Sequence, residues 1–172
     1  LAGDSLHALA FDILGDPETH PDPFVRIELV QELARASGPV GMAGGQMMDI
    51  EAEKATFDLP TVTRLQAMKT GALIAASVEM GAILGHAPVE GRAHLRGYAR
   101  DVGLAFQIVD DILDVTQCSE TLGKTAGKDE HHDKPTYVSL MGLDAARRHS
   151  FELRDEAHAA LSRSGLTDAA RL

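Results

Sequence analysis

Three aspartates and a glutamine recur at helical spacing in the stretch 106–114, which reads Phe-Gln-Ile-Val-Asp-Asp-Ile-Leu-Asp. At about 100° per residue, Asp110, Asp114, Gln107 and Asp111 share one side of a helix. The remaining positions are mostly apolar, so the pattern predicts a largely buried helix that directs its carboxylates into a cavity. Adjacent buried anions repel one another and require a cation. Oxygen ligands without His or Cys favour Mg²⁺. The alternative is a solvated acidic patch, because short acidic motifs are common.

A lysine interrupts the apolar stripe of the helix predicted over residues 61–84. Lys69 lies among Leu65, Ala72 and Leu73 at helical spacing. Such a lysine either extends its ammonium to water along the apolar surface or points inward at an anionic partner. The sequence alone leaves both interpretations open.

Three glycines lie inside a helix predicted over residues 40–54, namely Gly41, Gly44 and Gly45. Each costs roughly 1 kcal/mol relative to alanine, which indicates close backbone approach by a neighbouring helix or a ligand. Gln46 and Asp49 follow, three residues apart on one face. This pair alone is weak evidence for a site.

The elements that must position these residues are all predicted to be helices. Apolar residues recur at helical spacing, and Gly and Pro separate the segments. No segment shows strand alternation, so we predict an all-α fold in a single domain spanning residues 1–172. The predicted helices cover 1–14, 24–36, 40–54, 61–84, 90–115, 136–142 and 143–162, and another begins at 167.

Composition excludes some functions and compartments. The 26 acidic and 16 basic residues give a net charge of −10, which argues against a general nucleic-acid or anionic-membrane binder. An anionic substrate stays compatible, because a bound metal can reverse the local field. A single cysteine, Cys118, excludes an internal disulfide, so we expect a reducing cytoplasm. We find no membrane-spanning apolar run and no signal peptide.

Five segments then occur in a recognisable order: GGQMMDIEAE (44–53), KTGALI (69–74), GLAFQIVDDILD (103–114), LGK (122–124) and KPTYVSLMGL (134–143). This order and spacing resemble the trans-isoprenyl diphosphate synthases, and the bacterial farnesyl diphosphate synthase group most closely. The similarity extends from about Leu1 to about Gly165. Five segments in register are much stronger evidence than any one of them alone.

The resemblance implies a fold, a reaction and partners. The fold is an isoprenoid synthase-like bundle of antiparallel helices around a central cavity. The reaction is head-to-tail condensation of isopentenyl diphosphate with an allylic diphosphate, dimethylallyl or geranyl, to a short-chain product such as farnesyl diphosphate. Geranyl and geranylgeranyl diphosphate are alternative products. The resemblance also implies three Mg²⁺ ions, with Mn²⁺ as an alternative, and a homodimer.

The resemblance also implies roles for individual residues. Asp110, Asp111 and Asp114 correspond to the second aspartate-rich motif, with Asp110 as the direct Mg²⁺ ligand and the other two acting through water. The residues that hold the allylic diphosphate are Lys69, Thr70, Gln107, Lys124 and Lys134. Gln46 and Asp49, together with Phe106, line the pocket. Lys69, Gln107 and Asp110 are the residues expected to be catalytic.

The sequence departs from the family pattern at both ends. The first aspartate-rich motif, the basic residues for isopentenyl diphosphate and the final C-terminal segment are not among these residues. We therefore expect residues 1–172 to be the C-terminal larger part of a synthase, with the bundle incomplete at both ends. These 172 residues alone are expected to be inactive.

Three other functions are compatible with parts of the sequence. A non-catalytic synthase subunit is expected to lose the aspartates, yet all three are present. A terpene cyclase is expected to have a different second metal motif and more aromatic residues. A helical interaction module leaves the position of Lys69 and the acidic side of the helix unexplained.

Overall fold

The computed structural model describes residues 1–121 and 135–166, with side chains described in 1–116 and 135–166. Within these ranges every regular element is helical, which confirms the all-α prediction. The predicted helix from Thr167 lies outside them. The elements are α1 (Ala2–Gly15), α2 (Pro23–Ser37), α3 (Met42–Glu51), α4 (Leu59–Gln66), a π-helical turn (Ala67–Gly71), α5 (Ala72–Leu84), α6 (Val89–Thr121), α7 (Tyr137–Met141) and α8 (Leu143–Arg163).

Polar side chains cap three helix starts where the sequence changes from loop to helix. The Asp58 carboxylate accepts hydrogen bonds from the Thr61 N–H, at 3.0 Å, and from the Thr61 hydroxyl. The Asp22 carboxylate accepts from the Phe24 N–H at 2.8 Å. Thr136 and Ser139 form a reciprocal capping box at the start of α7. These bonds satisfy backbone donors that have no intrahelical partner.

α4, the π-helical turn and α5 form one continuous helical rod from Leu59 to Leu84. Among the described residues, this rod alone is long and apolar enough to cross a membrane by length and composition. That criterion is weak evidence, since core helices of soluble proteins also satisfy it. Here the rod packs against α2, α3 and α6.

α6 is the central element of the described structure, because it contacts α5 on one side and α8 on another. A core cluster joins it to its neighbours and consists of Val62, Ile108, Tyr137, Ala146 and Leu153. Ile108 and Tyr137 are almost completely buried. Ile108 precedes the acidic stretch by two residues, so this packing fixes the rotation of the helix at the candidate site.

The N-terminal part of α6 is tied to α2 and α5 by arginines. The buried Glu79 carboxylate accepts from Arg92 and Arg96, and Arg92 also donates to Glu28 at 3.0 Å. The hydrogen bonds to Glu28 and Glu79 raise the pKa of the Arg92 guanidinium. This end of α6 is thus held by matched opposite charges.

Candidate active site

The π-helical turn carries Lys69, and α3 approaches this turn very closely. A Cβ atom built on Gly45 would lie 2.2 Å from the Lys69 backbone nitrogen, far inside van der Waals contact. On the other side of the turn, a Cβ on Gly103 would lie 3.2 Å from the Gly71 Cα. The close backbone approach predicted for Gly45 is confirmed, and the neighbouring group is a helical turn.

Lys69 points inward at an anionic partner. Its Nζ lies 2.7 Å from Asp49 Oδ2, and the two side chains are 35% and 18% exposed. The structure thus favours the second of the two interpretations for this lysine. The pair connects the π-helical turn to α3 and leaves the lysine partly accessible to a ligand.

The next residue of the turn connects to α6 through a glutamine. The Thr70 hydroxyl oxygen lies 3.3 Å from Gln107 Oε1. The Gln107 Nε2 lies 3.3 Å from Asp111 Oδ1 and 3.5 Å from Asp110 Oδ2. Because an amide nitrogen donates and carboxylates accept, these contacts set which end of the Gln107 side chain faces the aspartates.

Asp111 is the most enclosed of the three aspartates, at 7% exposed. Its Oδ2 accepts a hydrogen bond from the Tyr137 backbone N–H at 2.8 Å. Burial raises the pKa of the Asp111 carboxyl, and the hydrogen bonds from Tyr137 and Gln107 oppose that effect. Charge repulsion from Asp110 and Asp114 adds a smaller increase.

Asp110 and Asp114 differ from Asp111, because both are exposed in the part of the chain that the structure describes. The expectation that all three carboxylates are enclosed is therefore not met: the described helices leave this face of α6 uncovered. No ion pair joins either carboxylate to a described lysine or arginine. The pair, one helical turn apart, offers hard oxygen donors that no described cationic side chain neutralises.

These donors suit a cation that takes few protein ligands. Among the described residues, no three His, Cys, Asp or Glu side chains are close enough to hold a metal by themselves. Mg²⁺ at phosphate sites usually takes one or two carboxylates and completes its shell with water and substrate phosphates. Asp110 and Asp114 fit that requirement.

An apolar cavity of about 990 Å³ adjoins Asp110 and lies between α5, α6 and α8. Phe106, Val109 and Leu113 contribute its α6 wall, and Phe151 contributes from α8. Phe106 is 59% exposed. Asp110 therefore lies where the polar side of α6 meets an apolar surface.

The structure does not bring all of the predicted residues together. Gln46 is exposed, and its side chain forms no hydrogen bond with another described side chain. Lys124 and Lys134 lie outside the described residues. Sequence reasoning did not anticipate the Tyr137 backbone N–H as a partner of Asp111. A partial signal was available, since Asp111 lies nearest of the three aspartates to the buried Ile108 on the helical wheel.

These observations define an all-α protein in which two exposed carboxylates of α6, next to an apolar cavity, form a candidate cation site. Comparison with known proteins then gives the family. The polyprenyl synthetase family model matches residues 1–165. The farnesyl diphosphate synthase of Escherichia coli (strain K12) is 46% identical over 167 residues, which cover 94% of this chain and 54% of that protein.

Solved structures give the same result. An apo FPP/GFPP synthase from Zymomonas mobilis superposes with a TM-score of 0.80 at 49% identity, over 93% of this chain and 52% of that one. A Helicobacter pylori geranyltransferase complexed with magnesium and isoprenyl diphosphate gives a TM-score of 0.78 at 32% identity, over 93% of this chain and 52% of that one. The chain belongs to the polyprenyl synthetase family. It spans about half the length of these relatives.

Proposed function

We propose that the protein is a Mg²⁺-dependent prenyltransferase that condenses isopentenyl diphosphate with an allylic diphosphate. The favoured product is farnesyl diphosphate, with geranyl and geranylgeranyl diphosphate as the alternatives. The observation that carries the proposal is the pair of exposed carboxylates, Asp110 and Asp114, beside the contact chain through Gln107, Thr70 and Lys69. The names of the relatives described above support the reaction type.

The reaction requires a leaving diphosphate to be stabilised. The allylic C–O bond breaks, the double bond of isopentenyl diphosphate forms the new C–C bond, and a proton is lost from the new adduct. Lys69, whose side chain is partly accessible, is proposed to supply a positive charge to the departing diphosphate, and Thr70 and Gln107 to supply polar contacts. Such preorganised groups stabilise the charge that develops in the transition state.

Asp110 and Asp114 are the proposed metal-holding residues, and three Mg²⁺ ions are expected when diphosphate is bound. Bound Mg²⁺ supplies positive charge against the leaving diphosphate. Phe106 is proposed to contact the hydrocarbon part of a substrate, and its exposure in the same cavity wall as Asp110 supports this. Lys124 and Lys134 are proposed to hold the allylic diphosphate on the resemblance alone. On the same ground, Gln46 and Asp49 are proposed to line the substrate pocket near the reacting carbons.

The proposed reaction is tested by incubating the protein, as encoded by its gene, with isopentenyl diphosphate, Mg²⁺ and dimethylallyl or geranyl diphosphate. We expect chromatography to show a lengthened prenyl diphosphate whose formation stops when the metal is chelated. A protein that is folded and Mg²⁺-loaded but forms no longer product contradicts the proposal. The chromatogram also determines the product length.

We further propose a cytoplasmic homodimer, and α1 supplies the observation that supports self-association. Its side chains Leu6, Leu9 and Ile13 recur on one face and are 66%, 48% and 54% exposed. Burying such a face is favourable. Sedimentation of the Leu9→Glu variant tests this: a lower mass than wild type is expected, and an unchanged dimer contradicts the assignment of this face.

A shorter test concerns the 172 residues by themselves. We propose that they do not catalyse prenyl transfer, because the residues expected to bind isopentenyl diphosphate are not among them. Appreciable prenyl transfer by these 172 residues alone would show that the site does not require further residues to bind isopentenyl diphosphate.

A further inference from the structure

Asp111 occupies a different environment from the two aspartates that flank it in the motif. It is 7% exposed, whereas Asp110 and Asp114 are exposed. A residue that binds a cation together with a diphosphate must present an oxygen to the ligand. The carboxylates of Asp110 and Asp114 are exposed and free to do so, while Asp111 faces the interior between α6 and α7.

Both oxygens of Asp111 already accept hydrogen bonds from the protein. Oδ2 accepts from the Tyr137 N–H at 2.8 Å. Oδ1 accepts from Gln107 Nε2 at 3.3 Å. Tyr137 is the first residue of α7, so its N–H has no partner within that helix. Its side chain is 1% exposed. The Asp111 carboxylate therefore attaches the acidic stretch of α6 to a fixed point in the core.

The same carboxylate fixes the direction of the Gln107 amide. Two carboxylates, those of Asp111 and Asp110, lie within 3.5 Å of Nε2. The opposite end, Oε1, lies 3.3 Å from the Thr70 hydroxyl oxygen, which has a proton to donate. Asp111 thus lies at the buried end of a contact chain that ends at the π-helical turn.

We infer that Asp111 is a positioning residue for prenyl transfer, which holds Gln107 and the start of α7 in place and does not bind the metal. This inference rests on the proposed function. It assigns different roles to the aspartates of one motif: Asp110 and Asp114 bind the ligand, and Asp111 orients the Gln107 side chain and the start of α7.

The Asp111→Asn variant separates positioning from metal binding, because asparagine keeps one oxygen for the Tyr137 N–H. The Nδ2 of the asparagine then faces the Gln107 Nε2, and two donors oppose each other. The Gln107 amide must rotate by about 180°, so its Nε2 no longer donates a hydrogen bond to Asp110. We expect kcat to fall about tenfold, which corresponds to the net free energy of one hydrogen bond. The Mg²⁺ concentration that gives half-maximal rate is expected to stay unchanged.

Two matched variants complete the experiment. Asp110→Asn removes a proposed metal ligand and is expected to raise the half-saturating Mg²⁺ concentration and to lower kcat by roughly 10²–10³. Asp111→Ala leaves the Tyr137 N–H without an acceptor, so its amide hydrogen is expected to exchange faster than in wild type. In Asp111→Asn that exchange rate is expected to match wild type, which shows that the local fold is kept.

The outcomes are distinguishable. If Asp111→Asn raises the Mg²⁺ requirement as far as Asp110→Asn does, Asp111 is a metal ligand and the inference is overturned. If both Asp111 variants retain wild-type kcat, it has no positioning role. All variants are made in the protein as encoded by its gene. If that wild-type protein shows no prenyl transfer, or if its Asp110→Asn variant has wild-type kinetics, the proposed function itself is overturned and the inference with it.

Discussion

The two ends of α6 handle charge in opposite ways. Near its start, Arg92 and Arg96 surround the buried Glu79, and Arg92 also reaches Glu28. Further along, Asp110 and Asp114 are exposed and form no ion pair with any described side chain. A buried carboxylate without a cation destabilises a protein, so the first end is arranged to stabilise the fold. At the second end we propose that a bound cation takes the place of the arginines.

This contrast shows how to separate structural charges from functional ones. Paired charges at the first end should affect unfolding when they are changed, with little effect on the reaction. The exposed carboxylates at the second end should affect the reaction, with little effect on unfolding.

The largest effect is expected for Asp110→Ala in the protein as encoded. Turnover should fall by at least roughly 10²–10³, typical of removing one preorganised electrostatic group. The melting temperature should hold or rise, because the substitution relieves the charge repulsion between Asp110 and Asp111. Steady-state kinetics and thermal melting measure both. Unchanged turnover contradicts the site assignment.

The next effect is expected for Arg92→Met at the opposite end. Glu79 then keeps Arg96 but loses its better buried partner. The free energy of unfolding should fall by about 1.5–3 kcal/mol, the usual range for hydrogen bonds to charged groups. Denaturant titration measures this, and kcat of the folded protein should not change.

Arg35→Met is the matched control, because Arg35 forms an exposed ion pair with Glu32 on α2. Its free energy of unfolding should stay within about 0.5 kcal/mol of wild type. Equal losses in the two arginine variants are incompatible with a special role for the charges around Glu79.

A smaller loss is expected when the packing beneath Lys69 is changed. Gly45→Ala places a methyl group against the backbone of Lys69, so it should lower the free energy of unfolding by about 1–3 kcal/mol and also lower turnover. Gly81→Ala is the control, since nothing lies within 4 Å of its added Cβ and alanine favours the helix. If Gly45→Ala behaves like Gly81→Ala, close packing does not position Lys69.

The smallest effect concerns a carboxylate at neither end of α6. The hydrogen bond from the Thr61 hydroxyl, followed by that from its N–H, lowers the pKa of Asp58. A carboxyl group whose pKa is lowered by folding stabilises the folded protein at pH values above its ordinary, unfolded-state pKa. That stability is lost as the pH falls through the lower pKa of the folded state. Asp58→Asn should thus melt slightly below wild type at pH 7, and the gap should close below about pH 4. A gap that is independent of pH contradicts this explanation.

Much of the fold followed from periodicity, and the helices do lie close to the predicted ranges. The predicted helix over residues 90–115 corresponds to α6, and that over 24–36 to α2. The helix predicted over 61–84 is also observed, but it contains a π-helical turn that the sequence did not indicate. Side-chain spacing reports which face is apolar, and it does not report a local change in hydrogen-bond register.

The site followed from the sequence only in part. The helical wheel placed Gln107 and the three aspartates on one side of α6, with Asp111 nearest to the apolar Ile108. It did not show that Asp111 is buried by another helix while Asp110 and Asp114 are exposed. That separation depends on α7, which follows much later in the chain and donates a backbone N–H. A wheel describes one helix and contains no information about a distant donor.

The π-helical turn between α4 and α5 limits how many residues this helical segment can contain. Such a turn contains one residue more than the α-helical segment it replaces, so it sets the angular phase between the flanking helices. Val62 and Leu65 on one side, and Ala76 on the other, are all buried at that phase. Deleting a single residue here rotates one half by about 100° relative to the other. The two apolar faces then no longer point at the same core, so this segment tolerates a change of side chain better than a change of length.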